Sequence, residues 1–226
     1  MWKEELKGWK KWEIAWLLIC CAVIMALSVY WKDSVIGIIS ATTGVACVVC
    51  TGKGKLSAYI FGVVNILLYA LISFEAKYYG EVMLNLLYYF PMQFYGFYVW
   101  KKNMNEETHE VKKRKMPKKH FGIVLVVIFV ATLIYGTFLK YLGGNLSYVD
   151  ALSTVVSVVA MVISIKMYLE QWILWLIVDA VTVVMWGIAF ANGSDSIATL
   201  LMWIVYLGNA FVMYVKWYRE VKANEV

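Results

Sequence analysis

The chain has 226 residues, of which 62% are hydrophobic and only 16% are charged. A composition this apolar, with several runs of about 17 or more apolar residues, excludes a soluble globular protein and predicts a single membrane domain over 1–226. The net charge of +6 does not indicate nucleic-acid binding, because the basic residues lie between the apolar runs and at the chain ends, where they set membrane topology.

The apolar runs predict an all-α integral membrane protein with eight spans. In chain order these spans cover 14–31, 35–51, 56–74, 81–100, 121–139, 149–165, 171–190 and 197–216. With this assignment, 18 of the 21 Lys and Arg residues lie on one side of the membrane. The positive-inside rule then predicts that both termini are cytoplasmic.

The basic linker 101–119 divides the chain. Its main interpretation is a cytoplasmic loop that anchors topology, and the alternative is a segment that docks on anionic membrane lipid. Three spans precede the linker within 35–100, one span follows it at 121–139, and three more lie within 149–216. The span at 14–31 is an extra N-terminal helix outside this pattern.

The two triplets of spans are predicted to be repeats. A shift of 114 residues superimposes 35–100 on the second triplet without a gap and aligns Asn65 with Asp179. Because the triplets start four spans apart, they have the same orientation in the membrane. Parallel triplets joined by one inverting helix (121–139) predict a 3+1+3 arrangement similar to that of the SWEET sugar transporters, with the ligand site near the membrane midplane.

The seventh span carries the strongest candidate site. On a helix, Trp175, Asp179 and Trp186 fall within about 60° of Trp172. An ionisable side chain inside a span is costly, so Asp179 is expected to face a cavity rather than lipid. This stripe therefore predicts a ligand site.

Polar and aromatic side chains on three other spans are predicted to face the same cavity. They are Asn65 beside Phe61 and Tyr69 on the third span, Glu81, Asn85 and Tyr88 with the neighbouring Gln93 on the fourth, and Tyr206 and Asn209 on the last. The alternative is that these side chains only pack or form interhelical hydrogen bonds. A cavity of indoles, amides and one carboxylate suits an aromatic or cationic ligand with polar substituents.

Cofactors and metals are not expected. The four cysteines, Cys20, Cys21, Cys47 and Cys50, lie inside spans and are predicted to be packing residues. Both histidines lie in or beside the linker, and no phosphate-binding glycine motif is present. An intramembrane enzyme would need a nucleophile or metal constellation that the sequence lacks, so the chain is predicted not to be an enzyme.

Two motifs resemble those of the PnuC family of nicotinamide riboside transporters. They comprise Tyr79, Gly80, Glu81, Leu84, Asn85, Tyr88, Gly96 and Trp100, followed by Trp172, Trp175 and Asp179. The resemblance implies uptake of nicotinamide riboside across the bacterial inner membrane by facilitated diffusion, in a homotrimer of SWEET-like protomers. It also implies that a cytoplasmic kinase traps the product.

In this scheme the pyridinium ring lies against Trp172 and Trp175 near Asp179, and the ribose hydroxyls bond groups such as Asn85, Gln93 or Asn209. Asp179 is also the candidate group for any proton coupling. Two alternatives stay open at this point. One is a carrier of another aromatic vitamin, such as thiamine or riboflavin, and the other is a vitamin-binding subunit of an ATP-driven transporter.

Overall fold

The computed structural model describes residues 5, 7–76, 78–141, 147–193 and 197–224, and no β-strand occurs within them. The helices are α1 (Lys11–Tyr30), α2 (Val35–Lys53), α3 (Ser57–Glu75), α4 (Tyr79–Met83), α5 (Phe90–Lys102), α6 (Lys118–Tyr141), α7 (Ser147–Ile165), α8 (Gln171–Ala191) and α9 (Ile197–Asn224). A π-helical segment, Leu84–Tyr89, joins α4 to α5. Residues 79–102 therefore form one interrupted helix.

Seven helices in the described part of the chain are long and apolar enough to cross a membrane, namely α1, α2, α3, α6, α7, α8 and α9. The prediction of an all-helical, multi-pass membrane protein is confirmed. The remaining predicted span, 81–100, lies within the interrupted helix.

The outer surface of the bundle is apolar. On α6, the side chains of Ile123, Val126, Phe129 and Ile134 are all more than half exposed. In water such a surface would be unfavourable, whereas lipid tails accept it without cost. The exposed apolar side chains are therefore the expected lipid contacts of the protein.

The extra N-terminal helix packs on the core. Ile24 of α1 is completely buried in a cluster with Val45 of α2 and Met202 of α9, while Leu18 on the opposite side of α1 is 62% exposed. Helix α1 thus covers one side of the α2 and α9 pair.

The interrupted helix contacts α7 through two hydrogen bonds. The hydroxyl of Tyr88 donates to the carbonyl oxygen of Val158 at 2.8 Å, and the indole of Trp100 donates to that of Ser164 at 3.2 Å. The last helix of the first triplet is therefore bound to the first helix of the second.

The reciprocal contact joins α9 to α2. The amide of Asn209 donates to the carbonyl oxygen of Val48 at 3.2 Å, and the indole of Trp217 donates to that of Gly52 at 2.7 Å. Asn209 contacts Val48, and the later residue Trp217 contacts the later residue Gly52. The helices α2 and α9 therefore run parallel.

The linker lies across one end of the bundle, which we name the linker end. Its Val111 N–H donates to the Gly54 carbonyl in the turn between α2 and α3, at 3.0 Å. Its Arg114 exchanges backbone hydrogen bonds of 2.9 and 2.8 Å with Met167 and Leu169, in the turn between α7 and α8. The segment predicted as a topology-setting loop thus also connects corresponding turns of the two triplets.

Candidate functional site

A cavity lies between α2, α3, the interrupted helix, α7, α8 and α9. Eight of the nine predicted site residues line it: Asn65, Asn85, Gln93, Trp172, Trp175, Asp179, Tyr206 and Asn209. The centre of a water molecule can move through about 140 Å³ of this space. One water needs about 10 to 15 Å³ by the same measure, so the cavity is large enough for a small organic ligand.

Helix α8 presents the predicted stripe to the cavity. Trp172 and Asp179 are 2% and 3% exposed, and the buried Nε1 of Trp172 has no hydrogen-bond partner. Within the described residues, no hydrogen bond or ion pair reaches the Asp179 carboxylate. Buried polar groups are normally paired, so these unsatisfied atoms are unusual among the described residues that line the cavity.

The fourth member of the stripe, Trp186, has a different role. Its Nε1 donates to the hydroxyl of Tyr69 at 2.9 Å, and its ring packs edge-on against Tyr78 at 5.3 Å. Trp186 is 1% exposed and is not part of the cavity wall. Helical periodicity placed it on the correct face but could not reveal that a neighbouring helix occupies that position.

The interrupted helix presents Tyr89 to the cavity in place of the predicted Tyr88. Glu81, Asn85, Tyr89 and Gln93 line the cavity, whereas Tyr88 is turned toward Val158. The π-helical turn adds one residue to the repeat, which rotates the following residues by about 100° relative to a continuous α-helix. Tyr89 therefore takes the place predicted for Tyr88.

A sequence signal for this shift exists at Pro91, in the first turn of α5. Proline has no N–H, and its ring clashes with the carbonyl four residues earlier, which belongs to Leu87 in the π-helical segment. Widening the helix there relieves the clash. The proline could have identified Tyr89, which the sequence interpretation missed.

The two amides on α3 and α9 differ in how far their hydrogen bonds are satisfied. Asn65 donates to the Ser40 carbonyl at 2.9 Å, and its own oxygen accepts a 3.4 Å bond from the Tyr206 hydroxyl. Asn209 donates to Val48, but its buried Oδ1 has no partner. Asn209 thus offers an unused acceptor, whereas Asn65 mainly connects helices.

Among the described residues, the ionisable side chains that line the cavity include acids but no bases. They include the carboxylates of Glu81 and Asp179 but no Lys, Arg or His. In addition, no group of three or more His, Cys, Asp or Glu among the described residues is arranged to hold a metal ion. Such a wall attracts a cation and repels a phosphate.

Comparison with known proteins identifies the family. Residues 34–219 match the sequence model of a family described as nicotinamide mononucleotide transporter. A Neisseria mucosa protein named nicotinamide riboside transporter PnuC is 41% identical over 99% of this chain and 87% of its own length. The chain belongs to the PnuC transporter family.

Further relatives agree with this membership. The nicotinamide riboside transporter PnuC of Haemophilus influenzae is 31% identical over 97% of this chain and 95% of its own length. A crystal structure described as the vitamin B3 transporter PnuC matches with a TM-score of 0.89 at 41% identity, covering 98% of this chain and 97% of that chain. The PnuC family consists of membrane transporters and not enzymes, as predicted from the sequence.

Proposed function

We propose that this protein carries nicotinamide riboside across the membrane through the cavity described above. The observation that supports this most strongly is the combination of two indoles, Trp172 and Trp175, with the Asp179 carboxylate, which has no hydrogen-bond or ion-pair partner among the described residues. The pyridinium of nicotinamide riboside is a flat cation, which suits an aromatic wall beside a negative charge. The unused Asn209 Oδ1 can accept a bond from a ribose hydroxyl, and the Trp172 Nε1 can donate to an oxygen of the ligand.

The charge of the cavity favours the riboside over the mononucleotide named in the family description. A phosphate would have to enter a wall that holds Glu81 and Asp179 and has no basic residue among its described members. The desolvation of a doubly charged group without a basic partner is strongly unfavourable. The riboside avoids this because its only charge is positive.

The proposed mechanism is alternating access by uniport. The two triplets rock about the bound ligand and expose it to each side in turn. Uptake of labelled nicotinamide riboside into proteoliposomes should persist without any ion or pH gradient. A requirement for either gradient would refute uniport and would make Asp179 the first candidate for coupling.

The proposed topology has eight spans in a SWEET-like 3+1+3 arrangement, with both termini in the cytoplasm of a bacterial inner membrane. The interrupted helix of residues 79–102 would span about 36 Å, enough to cross a bilayer. The reciprocal bonds of Trp100 to α7 and Trp217 to α2 support two triplets related by approximate two-fold symmetry. The excess of basic residues on the linker side supports its cytoplasmic location.

Two further parts of the proposal follow the family resemblance. The protomers assemble into a homotrimer in the lipid bilayer, which light scattering of the purified protein in detergent would test. A cytoplasmic nicotinamide riboside kinase maintains the inward gradient by phosphorylating the product, so uptake into cells should fall when that kinase is absent.

Calorimetric titration with four ligands tests the substrate directly. Nicotinamide riboside should bind, whereas the mononucleotide should bind much more weakly because of its phosphate. Preferred binding of thiamine, another aromatic cation, or of riboflavin would instead identify a carrier of a different vitamin. Transport by the purified chain in liposomes would exclude a subunit that needs an ATPase partner.

A further inference from the structure

Just beyond the cavity, at the linker end, α2 and α9 are in direct contact at Gly52. The side chain of Met213 lies so close that a Cβ at Gly52 would be 2.3 Å from the Met213 Cγ. The Trp217 indole also donates to the Gly52 carbonyl, one of the last carbonyls of α2. While this contact persists, the route between the two helices is blocked.

A buried carboxylate from α1 connects the same two helices. One oxygen of Glu13 lies 3.0 Å from the Lys53 Nζ at the end of α2, and the other lies 2.6 Å from the Lys216 Nζ of α9. Glu13 is 1% exposed and Lys53 is 4% exposed. Glu13 therefore shares its one negative charge between two ammonium groups on different helices.

The linker extends these pairs into an ionic cluster. Glu110 lies 2.9 Å from Lys53 and 3.0 Å from Lys113, and Lys113 also pairs with Glu220 of α9. The ionic cluster thus contains three acids and three bases from α1, α2, the linker and α9: Glu13, Lys53, Glu110, Lys113, Lys216 and Glu220.

The ionic cluster touches the cavity wall through Trp217. The Lys113 ammonium lies 5.7 Å from the centre of the Trp217 ring. That ring in turn packs edge-to-face against Trp172, with the ring centres 5.7 Å apart. A continuous set of contacts therefore links the ionic cluster to an indole of the proposed ligand site.

We propose that Glu13 is a positioning residue for transport, which holds α2 and α9 together through Lys53 and Lys216 and thereby keeps the cavity shut at the linker end until the pairs separate. This gives a role to the first helix, which lies outside the matched family region 34–219. The inference rests on the proposed transport function but on no particular substrate.

Charged pairs suit a contact that must open. Buried ion pairs add little net stability compared with apolar residues of the same volume, but removing one partner leaves an uncompensated charge. When the end opens, water can solvate the separated charges, whereas separated apolar side chains would gain nothing from water. Glu13 can therefore favour the closed state without preventing opening.

Access to Cys47, which lines the cavity, reports on this closure. The parent protein for the experiment carries Ala at Cys20, Cys21 and Cys50, so that Cys47 is the single thiol. A charged, membrane-impermeant methanethiosulfonate is added to right-side-out and to inverted membrane vesicles without substrate. A separate variant that combines Glu106→Cys with Cys47→Ala in this parent identifies the side on which the linker lies.

Glu13→Gln should raise the labelling rate of Cys47 from the linker side by about fivefold or more, the usual lower range of coupling between distant sites. Trp217→Phe, which loses the bond to Gly52 but still places an aromatic ring there, should also raise the labelling rate. Glu13→Asp, which keeps the charge, should give a smaller increase. The control, Glu107→Gln, removes an exposed carboxylate of the linker outside the ionic cluster and should leave the rate unchanged.

An unchanged rate in folded Glu13→Gln and Trp217→Phe proteins would overturn the proposal. So would an increase seen only from the opposite side, or an equal increase in Glu107→Gln. If Glu13→Gln does not fold, Glu110→Gln replaces it, because Glu110 lies at the partly exposed edge of the ionic cluster. An unchanged labelling rate of Cys47 in Glu110→Gln would then overturn the proposal. Protection of Cys47 by nicotinamide riboside in the parent protein tests the proposed substrate separately.

Discussion

The ring of Tyr59 packs directly on Gly96, where α3 meets the interrupted helix. A Cβ at Gly96 would lie 2.4 Å from the nearest ring carbon of Tyr59. That ring cannot move away easily, because it is 7% exposed and packs edge-on against Trp100 at 5.1 Å. The glycine therefore allows an aromatic side chain of the cavity wall to lie against the helix backbone.

Gly96→Ala should destabilise the protein. Overpacking a close contact costs about 1 to 3 kcal/mol, which exceeds the gain of about 0.5 to 1 kcal/mol from replacing a helical glycine by alanine. Thermal unfolding in detergent measures the effect. The matched control is Gly122→Ala in α6, where a Cβ would meet nothing within 4 Å, and it should be neutral or stabilising. Equal melting temperatures for the two variants would contradict this explanation.

Trp172→Ala and Trp175→Ala should each weaken binding of nicotinamide riboside by about 1 to 2 kcal/mol or more, the range of a desolvated cation–π contact. Isothermal titration of the purified variants measures the loss. Trp31→Ala removes an indole that is 48% exposed outside the cavity and serves as the control. Unchanged affinity in both cavity variants would contradict the proposed stacking of the pyridinium ring on Trp172 and Trp175.

Asn209→Leu and Asn65→Leu should have different effects. Asn209 has a free acceptor in the cavity, so its loss should weaken ligand binding by about 1 to 3 kcal/mol with a smaller effect on melting temperature. Asn65 already binds Ser40 and Tyr206, so its loss should mainly lower thermal stability. Titration and thermal unfolding of both variants separate the two roles. The reverse pattern would show that Asn65 is the ligand contact.

Protonation of Glu110 should lower the stability of the folded protein at acidic pH. Burial alone raises the pKa of Glu110, but the ammonium groups of Lys113 and Lys53 outweigh this effect and lower it below the usual value of 4.5. The unfolded chain therefore binds the proton more readily than the native protein does. The stability from this carboxylate is complete above pH 4.5 and is lost as the pH falls through the native pKa.

Melting temperatures as a function of pH test this linkage. The difference in melting temperature between the unsubstituted protein and Glu110→Gln should be constant near neutral pH. It should shrink as the pH falls below 4.5. Glu107→Gln, which removes an exposed carboxylate of the same linker, controls for the loss of one charge. A difference that stays constant or grows at acidic pH would contradict the assigned direction of the pKa shift.

Local periodicity was sufficient to place the cavity-facing side of α8. Trp172, Trp175 and Asp179 are separated by three and four residues, and an uninterrupted α-helix maps that spacing onto one face. The same rule selected Tyr88 instead of Tyr89 on the interrupted helix, because the π-helical turn before Pro91 shifts the repeat by one residue. Periodicity is reliable only where the helix is regular.

The sequence by itself determined the membrane class, the approximate helix positions, the α8 stripe and the family, because each depends on residues close together in the chain or on short motifs. Only the tertiary structure decided that Tyr69 binds Trp186, that Tyr89 takes the place of Tyr88, and that the linker spans both triplets. It also brought Glu13 between Lys53 and Lys216, three residues that lie on different helices. Contacts between distant segments depend on how helix faces pack, and hydropathy, which indicates that a helix lies in the membrane, does not specify its partner.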